Sequence, residues 1–265
     1  MKFNKLITLA ASLTIALTGA LFVSQQDASA AASKVTSTKN SISKLYTEKG
    51  DLITNRALAP GTNWLVDRVF YHDGETYYRV ATNEFLKSSS TTKIYDKSNP
   101  NPKYIPNIRR INDYFIKYVN ALHAANGTPQ IAFSEDMFEY ANLRAYQQVG
   151  DTLDHSTGTR NVGENLHLPG FDYYLAMGVS DKDTAWQIFQ AWYDEYNNIT
   201  SKNQVGHFGH RAELIYTGSP AALGMSDNAV AFNSEWTNDY SGYMSVYNYI
   251  GTNPNTKFIS KDSVK

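Results

Sequence analysis

The chain has 265 residues, of which 42% are hydrophobic and 13% aromatic, and its formal net charge is −1. It contains no cysteine, which excludes disulfide bonds, a cysteine-linked lipid anchor and all thiol chemistry. No basic cluster indicates nucleic-acid binding, so neither DNA nor RNA is expected as a partner.

The N-terminal segment, residues 1–30, is predicted to be a secretory signal peptide. Lys2 and Lys5 precede a long apolar stretch. Ala28 and Ala30 are small residues at the two positions that a signal peptidase recognises. The alternative is an uncleaved membrane anchor. Since no later stretch approaches the ~18 apolar residues of a membrane span, we expect a secreted protein that is not embedded in the membrane after cleavage.

The next part of the chain is expected to be a small all-β domain. Residues 31–41 are small or polar and predict a mobile leader, whereas residues 42–90 show short β-rich runs separated by turn signals. His72-Asp73-Gly74 predicts a hairpin turn between two of these runs. The polar and proline-containing stretch 91–106 has the composition of a linker, so we expect a domain boundary there.

Charge is distributed unevenly between the two parts of the chain. Residues 31–95 contain nine basic and six acidic residues, a net charge of +3, whereas residues 96–250 contain ten basic and seventeen acidic residues, a net charge of −7. A basic first part would suit binding to an anionic cell-wall polymer. Ordinary variation among surface residues would also produce a net charge of +3.

Residues 107–250 are expected to form an α+β domain, followed by a C-terminal tail, 251–265. The helical patterns run from Ile111 to Asn126, from Ser134 to Gly150 and from Asp183 to Tyr196, with a helical turn over 211–214. The strand patterns cover 222–225, 230–232 and 243–250. Helices followed by strands, rather than alternating with them, favour an α+β fold.

Two histidines and two glutamates stand out as candidates for chemistry: His155, Glu164, Glu195 and His210. Neutral imidazole nitrogens and carboxylate oxygens both suit Zn²⁺, and the same groups could instead share protons in acid–base work. The spacing alone does not distinguish these alternatives, since no His-Glu-x-x-His motif is present.

The segments around these residues, taken in order, resemble the CAP superfamily of SCP-like extracellular domains (the pathogenesis-related and cysteine-rich secretory type). The similarity covers roughly residues 107–249. The matching segments are Asp154-His155-Ser156, Gly163-Glu164-Asn165, Trp192-x-x-Glu195 and Gly209-His210-Arg211-Ala212. The resemblance implies an α-β-α sandwich with an antiparallel sheet and a cleft lined by the two histidines and two glutamates.

In such a cleft, the resemblance implies a metal site for Zn²⁺ or Mg²⁺ made by His155, Glu164, Glu195 and His210. Ligand-binding roles beside it are assigned to Asn165, Trp192 and His207. Trp192 also fits a core position at helical spacing, like Trp186. The chain departs from plant members in the longer loop between His155 and Glu164, which contains Arg160. His72, His123 and His167 are given surface or structural roles.

The first part has a separate resemblance, to the S-layer-protein attachment (SLAP) domain of Gram-positive bacteria. It rests on Tyr77-Tyr78-Arg79-Val80-Ala81-Thr82-Asn83 and the hairpin before it. The resemblance implies non-covalent attachment to wall polymers of the peptidoglycan or teichoic-acid type, with Tyr77, Tyr78 and Arg79 as wall-binding residues. A single copy lacks the avidity of two linked sites.

The resulting hypothesis is a secreted surface protein, associated non-covalently with the cell wall, whose CAP domain binds a divalent metal or small ligand. One alternative is a metal-dependent hydrolase acting on an envelope or host substrate, with Glu164 or Glu195 as base. Another is a lipid or sterol binder using the apolar segment 169–177.

Overall fold

The computed structural model describes residues 33–196 and 198–265, so the predicted signal peptide lies outside the described residues. The first part consists of strands with one short 3-10 turn. They are β1 (Lys34–Thr38), β2 (Ser43–Tyr46), β3 (Leu52–Leu58), β4 (Asn63–Val66), β5 (Arg68–His72), β6 (Glu75–Ala81), β7 (Glu84–Lys87) and β8 (Thr91–Asp96), with the 3-10 turn at Ser88–Ser90. All their pairings are antiparallel, in two sheets ordered β4-β1-β8 and β3-β2-β7-β6-β5.

Two expectations for this part are corrected. Residues 34–38, predicted as mobile leader, form the central strand of the first sheet, and all five residues are buried. Residues 91–96, predicted as linker, form the strand on its other side, with Ile94 in the core. Both stretches are rich in threonine, a β-branched residue that favours strands even where the composition looks polar.

The second part contains six helices and three strands among the described residues. They are α1 (Ile108–Asn126), α2 (Glu135–Gln147), β9 (Gly163–His167), α3 (Phe171–Met177), α4 (Asp181–Tyr193), α5 (Gly209–Tyr216), β10 (Ala221–Met225), β11 (Val230–Ser234) and α6 (Tyr240–Tyr247), with 3-10 turns at His155–Thr157 and Lys261–Ser263. This arrangement confirms an α+β fold with antiparallel sheets.

The three longest helices begin where the sequence supplies an N-cap. The side chains of Asn107, Ser134 and Ser180 accept hydrogen bonds from backbone N–H groups in the first turns of α1, α2 and α4. The segment 243–250, predicted as a strand, is mostly helical: α6 ends at Tyr247, and its cap is Asp239. Its tyrosine-rich composition favoured a strand, whereas the Asp239 cap and packing against α5 select a helix.

The third sheet, ordered β10-β11-β9, lies between helices. On one face α2 approaches so closely that a Cβ at Gly224 would lie 2.2 Å from the Asn142 backbone nitrogen. On the other face Phe232 contacts Phe115 of α1 and Trp192 of α4. Strand β9 lies at the edge of this sheet and carries two of the predicted site residues.

The strands of the first part pack directly on the second part. One hydrophobic cluster includes Val69 and Tyr71 of β5 together with Phe138 of α2. An ion pair joins the buried side chain of Lys34 in β1 to the partly exposed side chain of Asp172 in α3. The two parts therefore share a core instead of being tethered by a free linker.

Tyr77 and Tyr78 belong to the interior of the first part, with 1% and 4% of their surface exposed. Tyr77 stacks on Phe70, and Arg79 forms an ion pair with Asp67. These two tyrosine rings therefore support the core, which corrects the expectation that they face the cell wall. Wall attachment itself stays a prediction.

In the described residues, no helix combines the length and apolar character needed to cross a membrane.

Candidate functional site

The first of two histidine–carboxylate pairs joins the loop after α2 to strand β9. His155 Nδ1 lies 2.8 Å from Glu164 Oε1. The His155 side chain is 61% exposed, whereas that of Glu164 is 11% exposed. The carboxylate can only accept, so Nδ1 carries the proton and Nε2 faces outward with a free lone pair.

Glu164 is held in its ionised form by buried donors. Arg144 Nε donates to Oε2 at 2.7 Å, and Arg144 Nη2 donates to Oε1 at 2.9 Å. Asn233 Nδ2 of the neighbouring strand donates to Oε2 at 3.0 Å. Burial alone would raise the pKa of Glu164, but the hydrogen bonds from His155, Arg144 and Asn233, with the guanidinium charge, lower it to about 2.

Arg144 is the buried anchor of this pair, with a side chain that is 0% exposed. Besides Glu164, its guanidinium donates to Gln147 Oε1, Thr157 Oγ1 and the Asp154 carbonyl, at 2.6 to 2.8 Å. These bonds tie α2 to the loop that presents His155. Arg144 thus fixes both members of the pair.

The second pair joins the end of α4 to the start of α5. His210 Nδ1 lies 2.7 Å from Glu195 Oε2, and the side chain of Glu195 is 0% exposed. Arg211 backbone N–H donates to Oε1 at 2.9 Å, and Asn198 Nδ2 donates to Oε2 at 2.9 Å. The Glu195 carboxylate can only accept hydrogen bonds, so His210 also donates through Nδ1. In the neutral imidazole this leaves Nε2 with a free lone pair.

Glu195 reaches this position through an uncommon backbone conformation. Its φ is 53°, in the left-handed region that non-glycine residues seldom adopt. The residue follows the last turn of α4 directly, and the change of direction turns its carboxylate toward the first residues of α5. The surrounding hydrogen bonds offset the conformational cost.

The two pairs lie on opposite sides of β9. Glu164 contacts α2, whereas the next side chain, Asn165, donates through Nδ2 to the His210 carbonyl at 3.0 Å. Successive side chains of a strand point to opposite faces, which explains the separation. Burial, together with a smaller effect of the charge of nearby His210, lowers the pKa of His167, two residues further on in the strand, to about 4.

The four side chains of the two pairs fit a metal ion only in part. Within the described ranges, the two pairs do not bring three ligand atoms within 4.8 Å of one another. Both carboxylates are also occupied by N–H donors, so Glu164 and Glu195 fit the role of orienting groups better than that of ligands. The free Nε2 atoms of His155 and His210 fit a metal that accepts imidazole, such as Zn²⁺, better than Mg²⁺.

A cavity of about 300 Å³ lies beside the first pair. Among the residues that line it are His155, Glu164, Tyr140, Arg160 and Trp236. Trp236 is 48% exposed. The cavity thus has an aromatic rim and a few polar groups, as small-molecule sites commonly do.

The three residues assigned to ligand binding are buried. Asn165 is 2% exposed and His207 is 6% exposed, with His207 Nδ1 lying 2.5 Å from the Thr200 carbonyl oxygen. Trp192 is 1% exposed and donates through Nε1 to the Leu166 carbonyl at 3.1 Å. All three support the loops and strand that carry the pairs, which corrects the expectation that they contact a ligand directly.

Sequence reasoning missed the residues that hold the carboxylates: Arg144, Asn233 and Asn198. Arg144 carried a weak signal, because a charged residue within the apolar pattern of a helix needs a buried partner. Asn233 sits opposite Glu164 in the pairing of β11 with β9, which only the register reveals.

Comparison with known proteins gives limited similarity. No protein-family model and no curated protein matches the chain. Among solved structures, the crystal structure of Na-ASP-1 is similar over 72% of this chain and 65% of that chain, with 13% sequence identity and a TM-score of 0.36. The chain thus spans less than two thirds of that structure. A similarity at this level does not establish a family, and the CAP resemblance stays a prediction from the motifs.

Proposed function

We propose that this protein is a CAP-type binding protein, secreted and displayed at the cell wall of a Gram-positive-type bacterium. The observation that carries the proposal is the pair of imidazoles held through Nδ1 by anchored carboxylates. Each carboxylate is fixed by donors from other elements, and each imidazole keeps Nε2 free. Such fixed imidazoles are suited to bind a metal ion or an N–H or O–H group of a small ligand.

The metal proposed for these imidazoles is Zn²⁺, bound by Nε2 of His155 on one side of β9 and by Nε2 of His210 on the other, with Glu164 and Glu195 orienting the two rings. A bound zinc ion would supply a positive charge that polarises a ligand. The cavity beside His155 offers space for a small ligand, and Trp236 and Arg160 on its rim offer stacking and charged contacts.

Binding is better supported than hydrolysis by Glu164. A general base works best when its pKa lies near the working pH. The pKa of Glu164 is about 2, and Arg144 and Asn233 already occupy its oxygens. The carboxylate is therefore a weak base that orients His155.

The test of the binding site is a calorimetric zinc titration of the purified protein, compared with the variant His155→Ala/His210→Ala. We expect saturable binding in the wild type, and the variant should lose the part of that binding that depends on the two imidazoles. The single variants His155→Ala and His210→Ala should each lose one part of this binding, because the two imidazoles lie on opposite sides of β9. Because the His155 side chain is largely exposed but bonds to buried Glu164, His155→Ala should lower the free energy of unfolding by about 1 kcal/mol. Zinc binding that is unchanged in the double variant would refute the site.

Wall association is proposed through the basic surface of the first part. Lys39, Lys44 and Lys49 are exposed there. The test is co-sedimentation of the protein with purified Gram-positive cell walls, at low and high salt, because screening weakens charge-driven binding. The whole protein is needed, since residues 31–95 alone would expose the shared core.

The variant Lys39→Glu/Lys44→Glu/Lys49→Glu is expected to stay in the supernatant. The matched control, Lys103→Glu/Lys117→Glu/Lys202→Glu, changes three exposed lysines of the second part by the same charge. It should sediment like the wild type. Equal losses in the two variants would show a general charge effect and would contradict a wall-binding first part.

A further inference from the structure

A second group of metal-binding side chains lies away from the two pairs, where the first part meets α2. His72 ends β5, Asp73 follows it in the turn to β6, and Glu139 lies on α2. Each residue offers one ligand atom, and these atoms all lie within 4.8 Å of one another. His72 Nδ1 lies 3.3 Å from Glu139 Oε2, and His72 Nε2 lies 3.5 Å from Asp73 Oδ2.

The three side chains are accessible to an ion but not fully open to solvent. The side chains of His72 and Glu139 are 37% and 28% exposed. The His72 ring packs against the backbone at Gly50, where a Cβ would lie 3.5 Å from its Cδ2 atom. Gly50 therefore helps to hold the His72 ring in place, while the side chain of Asp73 remains largely exposed.

The charges of this cluster are incompletely balanced. Two carboxylates share one imidazole, and a neutral imidazole has a single N–H to donate. Arg109 of α1 forms an ion pair with Glu135 at 2.7 Å. A divalent cation would neutralise the two carboxylates together.

We propose that His72, Asp73 and Glu139 bind a divalent transition-metal ion of the zinc class. One imidazole nitrogen and two carboxylate oxygens are a ligand set that Zn²⁺ accepts, with water completing the coordination. Ligand atoms around a tetrahedral zinc lie about 3.4 Å apart for bonds of about 2.1 Å. Glu139 lies at Nδ1 of His72 and Asp73 lies at Nε2, so the site closes when side-chain rotations bring both carboxylates to the same ring nitrogen. The ion would cross-link the β5–β6 turn to α2 and thereby fasten the two parts of the chain together.

This site is independent of the one proposed above, and the experiment separates them. Zinc is titrated by calorimetry into the variant His155→Ala/His210→Ala, which lacks the imidazoles of the first site. We expect one-to-one saturable binding to remain. Adding His72→Ala or Glu139→Gln to that variant should weaken the remaining binding at least tenfold. Magnesium, which prefers an octahedron of oxygen ligands, should bind far more weakly.

Thermal unfolding supplies a second readout. A ligand that binds only the folded state raises the melting temperature, so zinc should raise it in the variant His155→Ala/His210→Ala and should lose this effect when Glu139→Gln is added. The glutamine keeps the shape of Glu139, so this variant answers the question even if His72→Ala does not fold. Absence of saturable zinc binding in His155→Ala/His210→Ala would overturn the inference while leaving the first site untouched. Binding that persists unchanged in both added variants would overturn it as well.

Discussion

The two histidine–carboxylate pairs reach the same local geometry by different means. Glu164 is neutralised by a buried guanidinium and held by a side chain from the neighbouring strand. Glu195 is held by a backbone N–H and an amide side chain from its own stretch of chain. The first pair thus depends on long-range packing, and the second depends mainly on the segment that joins α4 to α5.

Because of this difference, disrupting the two pairs should have different effects on the free energy of unfolding. Breaking the support of Glu164 leaves a charge within a packed interface between α2 and the sheet. Breaking the support of Glu195 removes one neutral donor near the surface, while the others remain. The first pair should therefore be coupled to the stability of the whole fold, and the second should be coupled to the order of the segment 195–210.

The largest effect is expected from Arg144→Ala. Removing one partner of a buried ion pair leaves the other uncompensated, which costs about 3–5 kcal/mol, so the free energy of unfolding in urea should fall by that amount. The matched control is Arg160→Ala, whose partner Asp136 is 75% exposed, and a surface pair contributes about 1 kcal/mol or less. Equal losses in the two variants would refute the special role of Arg144.

The next effect concerns pH and is specific to Glu164. Its pKa in the folded protein is about 2, below its ordinary value of 4.5. The ionised form is thus favoured by folding, so this stabilisation is present above pH 4.5 and is lost as the pH falls toward 2. A shift of this size corresponds to about 3 kcal/mol.

The measurement compares wild type with Glu164→Gln in urea unfolding at a series of pH values. The stability advantage of the wild type should be largest above pH 5 and should shrink steadily as the pH is lowered. Other carboxyl groups titrate in both proteins and cancel in the difference. A difference that stays constant from pH 6 to pH 2.5 would mean that the pKa of Glu164 is not lowered by folding.

Much of the second part could be predicted from sequence because its signals are local. The apolar spacing from Ile111 to Leu122 matches α1, and the cap at Ser134 marks the start of α2. The four site residues were identified from their motifs, and their association into pairs is what the structure shows. These features need only neighbouring residues or a family pattern.

The missed features depend on partners far away in the chain. Strand β1 looked like a mobile leader because its pairing partners lie about 30 and 60 residues later. The charged partner of Arg144 lies outside its own helix, since Glu164 is 20 residues away. That the two pairs lie on opposite sides of β9 follows from strand alternation, which could be applied only once 163–167 was known to be a strand.

The smallest effect, and the sharpest test of the second pair, is expected from Asn198. Its Nδ2 donates to Glu195 Oε2 at 2.9 Å and to the His207 carbonyl at 2.6 Å. Asn198→Ala removes these donors and should lower the free energy of unfolding by about 1–2 kcal/mol. Asn198→Asp, which places a second carboxylate beside Glu195, should lose more than alanine does. Hydrogen exchange should show both losses concentrated in 195–210, because the remaining donors on Glu195 come from that segment. If exchange instead accelerates throughout α2 and the sheet, the second pair is coupled to the whole fold as the first one is, and the contrast between the pairs fails.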